Sequence, residues 1–327
     1  VIDFDRIARD PTQPDRLRPA FDSGDHLHPS PDGYRAMADA IPLALFTTTA
    51  PPRAVPTLAI TVDDLPAHGP LPPGMTRLAV AQQAIAAFKA QGVPAFGFVN
   101  GKFGEGVPDA AALLSAWRAA GLSLGNHSYS HDNLAQTDLA TFEADTVRNE
   151  ALLAPLTKRT DGRWFRYPFL SEGDTPAKRD AFRRFLANRG YRGAAVSMSF
   201  ADYDFNPVYA RCVAGRDEAG VAALEDMYLS AATVEAWRQR ARASAATGRE
   251  VPQVLLLHLG AFTAHMLPRL LDLYRSMGFR FVTLAEAERD PAYRNAVQLH
   301  RPGPTIAPSA DRDPATPVPA FNPDLCR

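Results

Sequence analysis

Between about residues 56 and 296, short runs rich in β-branched and apolar residues alternate with longer Ala-rich amphipathic stretches. Thr57 to Val62 precedes Arg77 to Gln91, Ala95 to Val99 precedes Ala110 to Ala120, and Leu122 to Gly125 precedes Leu139 to Leu153. The order continues with Arg163 to Tyr167 before Ala177 to Asn188 and Gly193 to Met198 before Thr233 to Ala246. It ends with Gln253 to His258 before Leu267 to Met277, and Arg280 to Thr283 before a last short helix. Runs short enough for strands, each followed by a stretch able to cross back over a sheet, predict parallel pairing. Such a series fits a barrel or a doubly wound sheet, and in both the functional groups gather at the C-terminal strand ends.

Proline marks the limits of this body. Pro51, Pro52 and Pro56 lie in a connector, and Pro302, Pro304, Pro308, Pro314, Pro317, Pro319 and Pro323 fill the end. The organisation expected is therefore a segment 1–50 including a linker, a folded body 51–296 and an extended Pro-rich tail 297–327. The 35 Lys plus Arg against 36 Asp plus Glu leave a net charge of -1, so no nucleic-acid partner is expected. The longest apolar stretch, Val254 to Phe262, is interrupted by His258 and is far shorter than the ~20 residues of a membrane span. Cys212 and Cys326 are too few for a disulfide scaffold and lack Cys-x-x-Cys spacing, which leaves their pairing open. The sequence starts at Val1 without a basic or apolar leader, so any targeting segment is expected upstream or already removed.

The chemistry-bearing residues follow the candidate strands. Asp63 and Asp64 end the first run, before Leu65-Pro66. Adjacent strand residues face opposite sides, so the strand must end or bulge there if both carboxylates serve one site. His127 and His131 lie in Gly125-Asn126-His127-Ser128-Tyr129-Ser130-His131, and the four-residue spacing predicts one helical face. Arg166, Asp202 and His258 follow further strands. Each alone fits a solvated turn, a capping residue or a satisfied core histidine, but together they predict one site. One Asp and two His leave an open coordination position, the form of a catalytic zinc site. Water held there becomes a nucleophile near neutral pH, a carboxylate can take its proton, and a histidine can protonate the leaving group. That is metal-assisted hydrolysis of an amide or ester.

At these residues the body resembles the polysaccharide deacetylases, carbohydrate esterase family four. Val62-Asp63-Asp64 implies Asp63 as catalytic base and Asp64 as a metal ligand, and His127-Ser128-Tyr129-Ser130-His131 implies the other two ligands. Arg166-Tyr167-Pro168-Phe169 implies an arginine that orients the base, with Tyr167, Pro168 and Phe169 forming a groove wall. Leu255-Leu256-Leu257-His258 implies His258 as the acid, with Leu256 in the acetyl pocket. The family's Asp-x-x-Asp-Trp pattern is altered to Ser199-Phe200-Ala201-Asp202-Tyr203, where Asp202 would pair with His258 and Tyr203 would supply an aromatic wall. The resemblance implies a distorted (β/α)7 barrel with an N-terminal helical segment. It also implies Zn2+, with Co2+ or Ni2+ as alternatives, an acetylated carbohydrate substrate and an exported protein. A non-sugar amide at the same site, and an inactive carbohydrate-binding barrel, are the competing readings.

Segment 1–47 differs. Ser23-Gly24-Asp25-His26-Leu27-His28-Pro29 with Gly33-Tyr34 resembles the last block of SGNH (GDSL-type) esterases, implying Asp25 and His28 as a triad's acid and base. No serine block accompanies it, so an upstream SGNH esterase domain of the same precursor is the expected partner. His68 is expected to line the pocket or face solvent, while Trp117 and Trp237 are expected to pack.

Overall fold

The computed structural model describes residues 3–42, 54–157, 161, 163–305 and 321–327. It divides into two compact units, Val1–Ala54 and Val55–Arg327. Among the described residues the strands of the larger unit are β1 Thr57–Leu65, β2 Phe96–Val99, β3 Ser123–Asn126, β4 Trp164–Phe165, β5 Arg192–Gly193, β6 Gln253–His258 and β7 Arg280–Phe281; the run expected from Gly193 to Met198 is not one strand, since β5 ends at Gly193. All pairings are parallel, in the order β5-β4-β3-β2-β1-β6, while β7 pairs with Thr57 and Leu58 at the start of β1. Beyond β5 the chain returns to the sheet at Met198, which bridges Leu255 of β6. There Leu256 N–H donates to Met198 O at 3.0 Å. The sheet thus curls round to meet β6, giving the distorted parallel barrel expected.

Side-chain alternation sorts the strands into two layers. Leu58, Ile60 and Val62 of β1 pack in a large cluster with Val80, Ala84 and Phe88 of α3 (Arg77–Ala90) and Leu267, Leu270, Leu271 and Tyr274 of α9 (Ala261–Ser276). Ala59 instead joins Phe96, Phe98, Trp164, Ala194 and Val254 in the barrel interior. Thr61 and Asp63 share the face of Ala59, so the inner face of β1 turns polar towards its C-terminal end. A third cluster, with Phe142, Phe165, Tyr167 and Phe182, lies under α5 (Leu139–Leu153) and α6 (Pro176–Asn188). Side-chain oxygens of Thr76, Asp138 and Thr175 accept backbone N–H groups at the starts of α3, α5 and α6, each satisfying one orphan donor.

The connection from β5 to β6 differs from the single helix Thr233 to Ala246 expected. It holds two, α7 Phe205–Gly215 and α8 Glu218–Thr247. The buried positions of α8 include Leu224, Tyr228, Ala231, Glu235 and Gln239, at helical spacing. Two of them are polar and one is alanine, so no apolar stripe marks the helix.

The described parts of the tail are held on the body. Arg183 of α6 is fully buried and donates to the carbonyls of Asn295 and Arg301 and to Thr305 Oγ1. Cys212 of α7 and Cys326 form a disulfide across 114 residues, and Phe321 packs 4.8 Å from the Phe205 ring. Gly220 of α8 leaves room for that disulfide, since a Cβ there would lie 2.3 Å from Cys326 Sγ.

The smaller unit contains α1 Phe4–Ala8 and α2 Pro31–Asp39. Ala8 and Gly33 are its buried residues among those described. It therefore has little core of its own.

Candidate active site

The two carboxylates reach one site through a bulge. Pairing of β1 with β2 shifts register between Val62 and Leu65, and Asp64 takes a left-handed backbone at φ 63°. Asp63 faces the barrel interior, where its oxygens both lie 3.2 Å from Arg166 Nη1. The rest of the Arg166 fork donates to Thr61 Oγ1 at 3.0 Å and to the carbonyls of Ala194 and Ala195. Its guanidinium carbon lies 4.7 Å from the centre of the Phe98 ring. A fully buried cation whose donors are all engaged fixes the Asp63 carboxylate in place.

His127 and His131 are brought together by a loop rather than by the helical face expected. Ser128 and His131 are left-handed at φ 60° and 59°, which no helix allows. Ser128 Oγ accepts His131 N–H at 3.2 Å, and Asp145 of α5 accepts the N–H groups of Tyr129 and Ser130 and the Ser130 hydroxyl. Asn126 Oδ1 accepts Ser128 N–H, Asn100 donates to the carbonyls of His127 and Ser128, and Asn149 donates to Asn126. These amides and Asp145 supply the loop's shape. Six of the nine left-handed non-glycine residues among those described, Asp64, Ser128, His131, Phe169, Leu170 and Ala201, lie at this end of the sheet. Such strain concentrates where surrounding structure imposes a functional geometry.

Asp64, His127 and His131 each offer one ligand atom, all within 4.8 Å of one another. His127 Nδ1 lies 2.7 Å from the Arg166 carbonyl, which can only accept, so the ring donates there and leaves Nε2 free for a metal. That Nε2 is 3.7 Å from Asp64 Oδ1, and His131 Nε2 is 3.4 Å from the same oxygen. Asp64 Oδ1 is buried without a hydrogen-bond partner. Burial and the neighbouring His127 push the His131 imidazole down to about 4, so it is neutral at pH 7. Burial works against ionising Asp64, but the His68 hydrogen bond and the rings of His258, His127 and His131 hold its carboxyl well below the usual range. A buried, ionised, unpartnered carboxylate oxygen beside a neutral imidazole and a free Nε2 fits a divalent cation.

Asp202 is fully buried and sits behind His258. Its Oδ1 lies 2.9 Å from His258 Nδ1, while its Oδ2 accepts the His258 backbone N–H and the Thr263 hydroxyl, both at 2.8 Å. Burial would lower the His258 pKa, but the charge and hydrogen bond of Asp202, with Asp64 and Asp63 beyond, raise it to about 9. His258 therefore carries its proton at neutral pH and can deliver it.

Of the residues expected to meet substrate, Phe169 is 64% and Tyr203 43% exposed. Phe169 lies 4.6 Å from the His131 ring and Tyr203 5.1 Å from the His258 ring. Pro168 is buried, and so is Leu256 between Val254 and His258 on the inner face of β6. Tyr167 is misplaced by the groove-wall expectation. Trp164 and Arg166 point into the barrel, so Phe165 and Tyr167 point out, and Tyr167 is buried against Phe165 and Phe182. Trp117 is buried as expected, whereas Trp237 is 57% exposed. Thr61, Asn100, Asp145, Asn149 and Thr263 were not singled out by the sequence, because each acts through a partner distant along the chain, and neither was Asn126, which bonds both to nearby Ser128 and to Asn149. Phe103, 5.3 Å from the His131 ring, was also missed. In the smaller unit Asp25 and His28 do pair, at 2.6 Å, and both are exposed.

Residues 50–191 match the family model described as polysaccharide deacetylase. No curated protein sequence matches the chain. Among solved structures, a CE4 family pseudoenzyme of Bacillus anthracis, as a mutant with restored enzymatic activity, is similar at TM-score 0.48 and 13% identity. That likeness covers 71% of this chain and 66% of the other. The chitin deacetylase of the fungal pathogen Colletotrichum lindemuthianum is similar at TM-score 0.47 and 19% identity, over 75% of this chain and 92% of that one. A family 4 carbohydrate esterase from Streptomyces lividans, in complex with acetate, is similar at TM-score 0.45 and 20% identity, over 71% and 95%.

Proposed function

From the match of residues 50–191 to the polysaccharide deacetylase family model, we propose that the chain removes N- or O-acetyl groups from a carbohydrate by metal-dependent hydrolysis. The observation that carries this reading is the unpartnered, buried Asp64 Oδ1 facing His127 and His131, beside an Arg-held carboxylate and an Asp-backed histidine. Asp64, His127 and His131 would hold the cation, with Zn2+ suited to the nitrogen and oxygen donors and Co2+ or Ni2+ as substitutes. When bound, such a cation polarises a carbonyl and brings the pKa of water towards neutrality.

The chain's own groups divide the proton work. Asp63, held by Arg166, accepts the proton of the attacking water. His258, protonated through Asp202, gives a proton to the leaving nitrogen or oxygen. Water attack forms the new C–O bond of acetate, and the bond between the acetyl carbon and the sugar nitrogen or oxygen breaks. Phe169 and Tyr203 are apolar faces on the His131 and His258 sides of the site, suited to stack on sugar rings, and Leu256 supports an apolar pocket for the acetyl methyl. The Cys212–Cys326 disulfide supports export to an oxidising compartment.

The test is acetate release from a panel of N- and O-acetylated oligosaccharides and simple non-sugar amides. Release from sugars that stops in Asp63→Asn is expected. Metal-replete chain that releases nothing from any of them would leave a binding barrel, and release confined to non-sugar amides would move the substrate class.

A further inference from the structure

His68 lies in the loop after β1, in Leu65-Pro66-Ala67-His68-Gly69, and none of the chemistry above uses it. Its Nδ1 is 2.8 Å from Asp64 Oδ2, so a ring N–H there engages one carboxylate oxygen while the other remains unpartnered. The same ring lies 4.9 Å from the His258 ring. The loop is fastened on both sides. Arg77 at the start of α3 donates to the carbonyls of His68 and Gly69. Buried Asn206 of α7 donates to Pro70 O at 2.8 Å and accepts Phe262 N–H at 3.0 Å. One amide therefore ties the His68 loop to the turn that follows His258. Gly69 is left-handed, and a Cβ on it would lie 2.4 Å from Asn206 Nδ2, so this contact requires glycine.

We propose that His68 is a positioning residue of the metal centre, its Nδ1–H fixing Asp64 by Oδ2 so that Oδ1 alone is presented to the cation. This rests on the metal-dependent reading of the site. An imidazole that orients a ligating carboxylate raises metal affinity by limiting the ligand's rotation, and removing such a partner weakens binding by roughly 10- to 100-fold. Through its ring contact and the Asn206 tie, the same residue also keeps the His258 imidazole beside the ligand carboxylate.

The experiment is a titration of the metal-free full chain with Co(II), read by its visible absorption. His68→Leu is expected to bind Co(II) roughly 10- to 100-fold more weakly. His68→Asn, which keeps an N–H donor at the Nδ1 position, is expected to stay near the unaltered chain, and His68→Gln, whose amide nitrogen lies one bond further out, to fall between. Leu binding as tightly as histidine would overturn the proposal. Should His68→Leu fail to fold, equal affinities in the Asn and Gln variants would overturn it as well. An unaltered chain that takes up Co(II) in a His127-dependent way while His68 variants match it would sink the inference alone. An unaltered chain that takes up none would sink the metal reading and this proposal with it.

Discussion

The chain contains Asp–His pairs in both of its units, and they differ in almost everything except composition. Asp25 and His28 in the smaller unit lie 2.6 Å apart with side chains 50% and 64% exposed. Asp202 and His258 in the barrel lie 2.9 Å apart with side chains 0% and 13% exposed. Backbone N–H groups and His28 lower the Asp25 carboxyl, but water screens that pair on every side. Asp202 is shielded from bulk solvent, and its two oxygens are engaged by His258 and Thr263. The charge and hydrogen bond of a buried Asp202, outweighing the burial that disfavours the imidazolium, are what raise the His258 pKa to about 9. A hydrogen-bonded Asp–His pair is therefore weak evidence of catalysis until its surroundings are known.

Substitutions in either pair put this contrast to the test. The largest effect is expected on turnover: His258→Ala and Asp202→Asn should each lower acetate release by roughly 100- to 10,000-fold, the scale of a lost general acid. His28→Ala and Asp25→Asn should leave it unchanged. Equal losses in both units would end the distinction. Next comes titration of the metal-free chain by histidine NMR, where His258 should titrate near pH 9 and shift down in Asp202→Asn. Because that pKa lies above the ordinary 6.5, the pair's contribution to stability is complete below about pH 6.5 and lost as pH rises through about 9. A melting temperature of the metal-free chain that climbs across this window in the native protein relative to Asp202→Asn would contradict the sign. The smallest effect is expected from Thr263→Val, which removes one of three bonds to Asp202. It should leave the His258 pKa raised and turnover measurable, with about 1–3 kcal/mol lost from stability.

The barrel was legible because its strands are buried on both faces and read as compact apolar runs. The identities of Asp63, Asp64, His127, His131, Arg166, Asp202 and His258 were legible because each closes such a run. Their conformations were not. Four-residue spacing suggests a helix at His127 and His131, yet the loop there takes its shape from Asp145 and, through Asn126, from Asn149 on α5, and nothing local announces that. Tyr167 illustrates the opposite case, since strict alternation from Trp164 and Arg166 would have turned it away from the site. Its place in a motif outweighed the period of the strand. The Cys212–Cys326 pairing needed tertiary structure, because two cysteines 114 residues apart carry no register. Helix α8 was obscured by Glu235 and Gln239 on its buried side.

Elemental analysis of the purified full chain, with His127→Ala beside it, decides whether Asp64, His127 and His131 hold a metal. The expected result is about one divalent ion per chain, zinc or a close substitute, lost in the variant. A chain that remains free of metal after reconstitution, or a variant that keeps its ion, would contradict the assignment of Asp64, His127 and His131 as a metal centre.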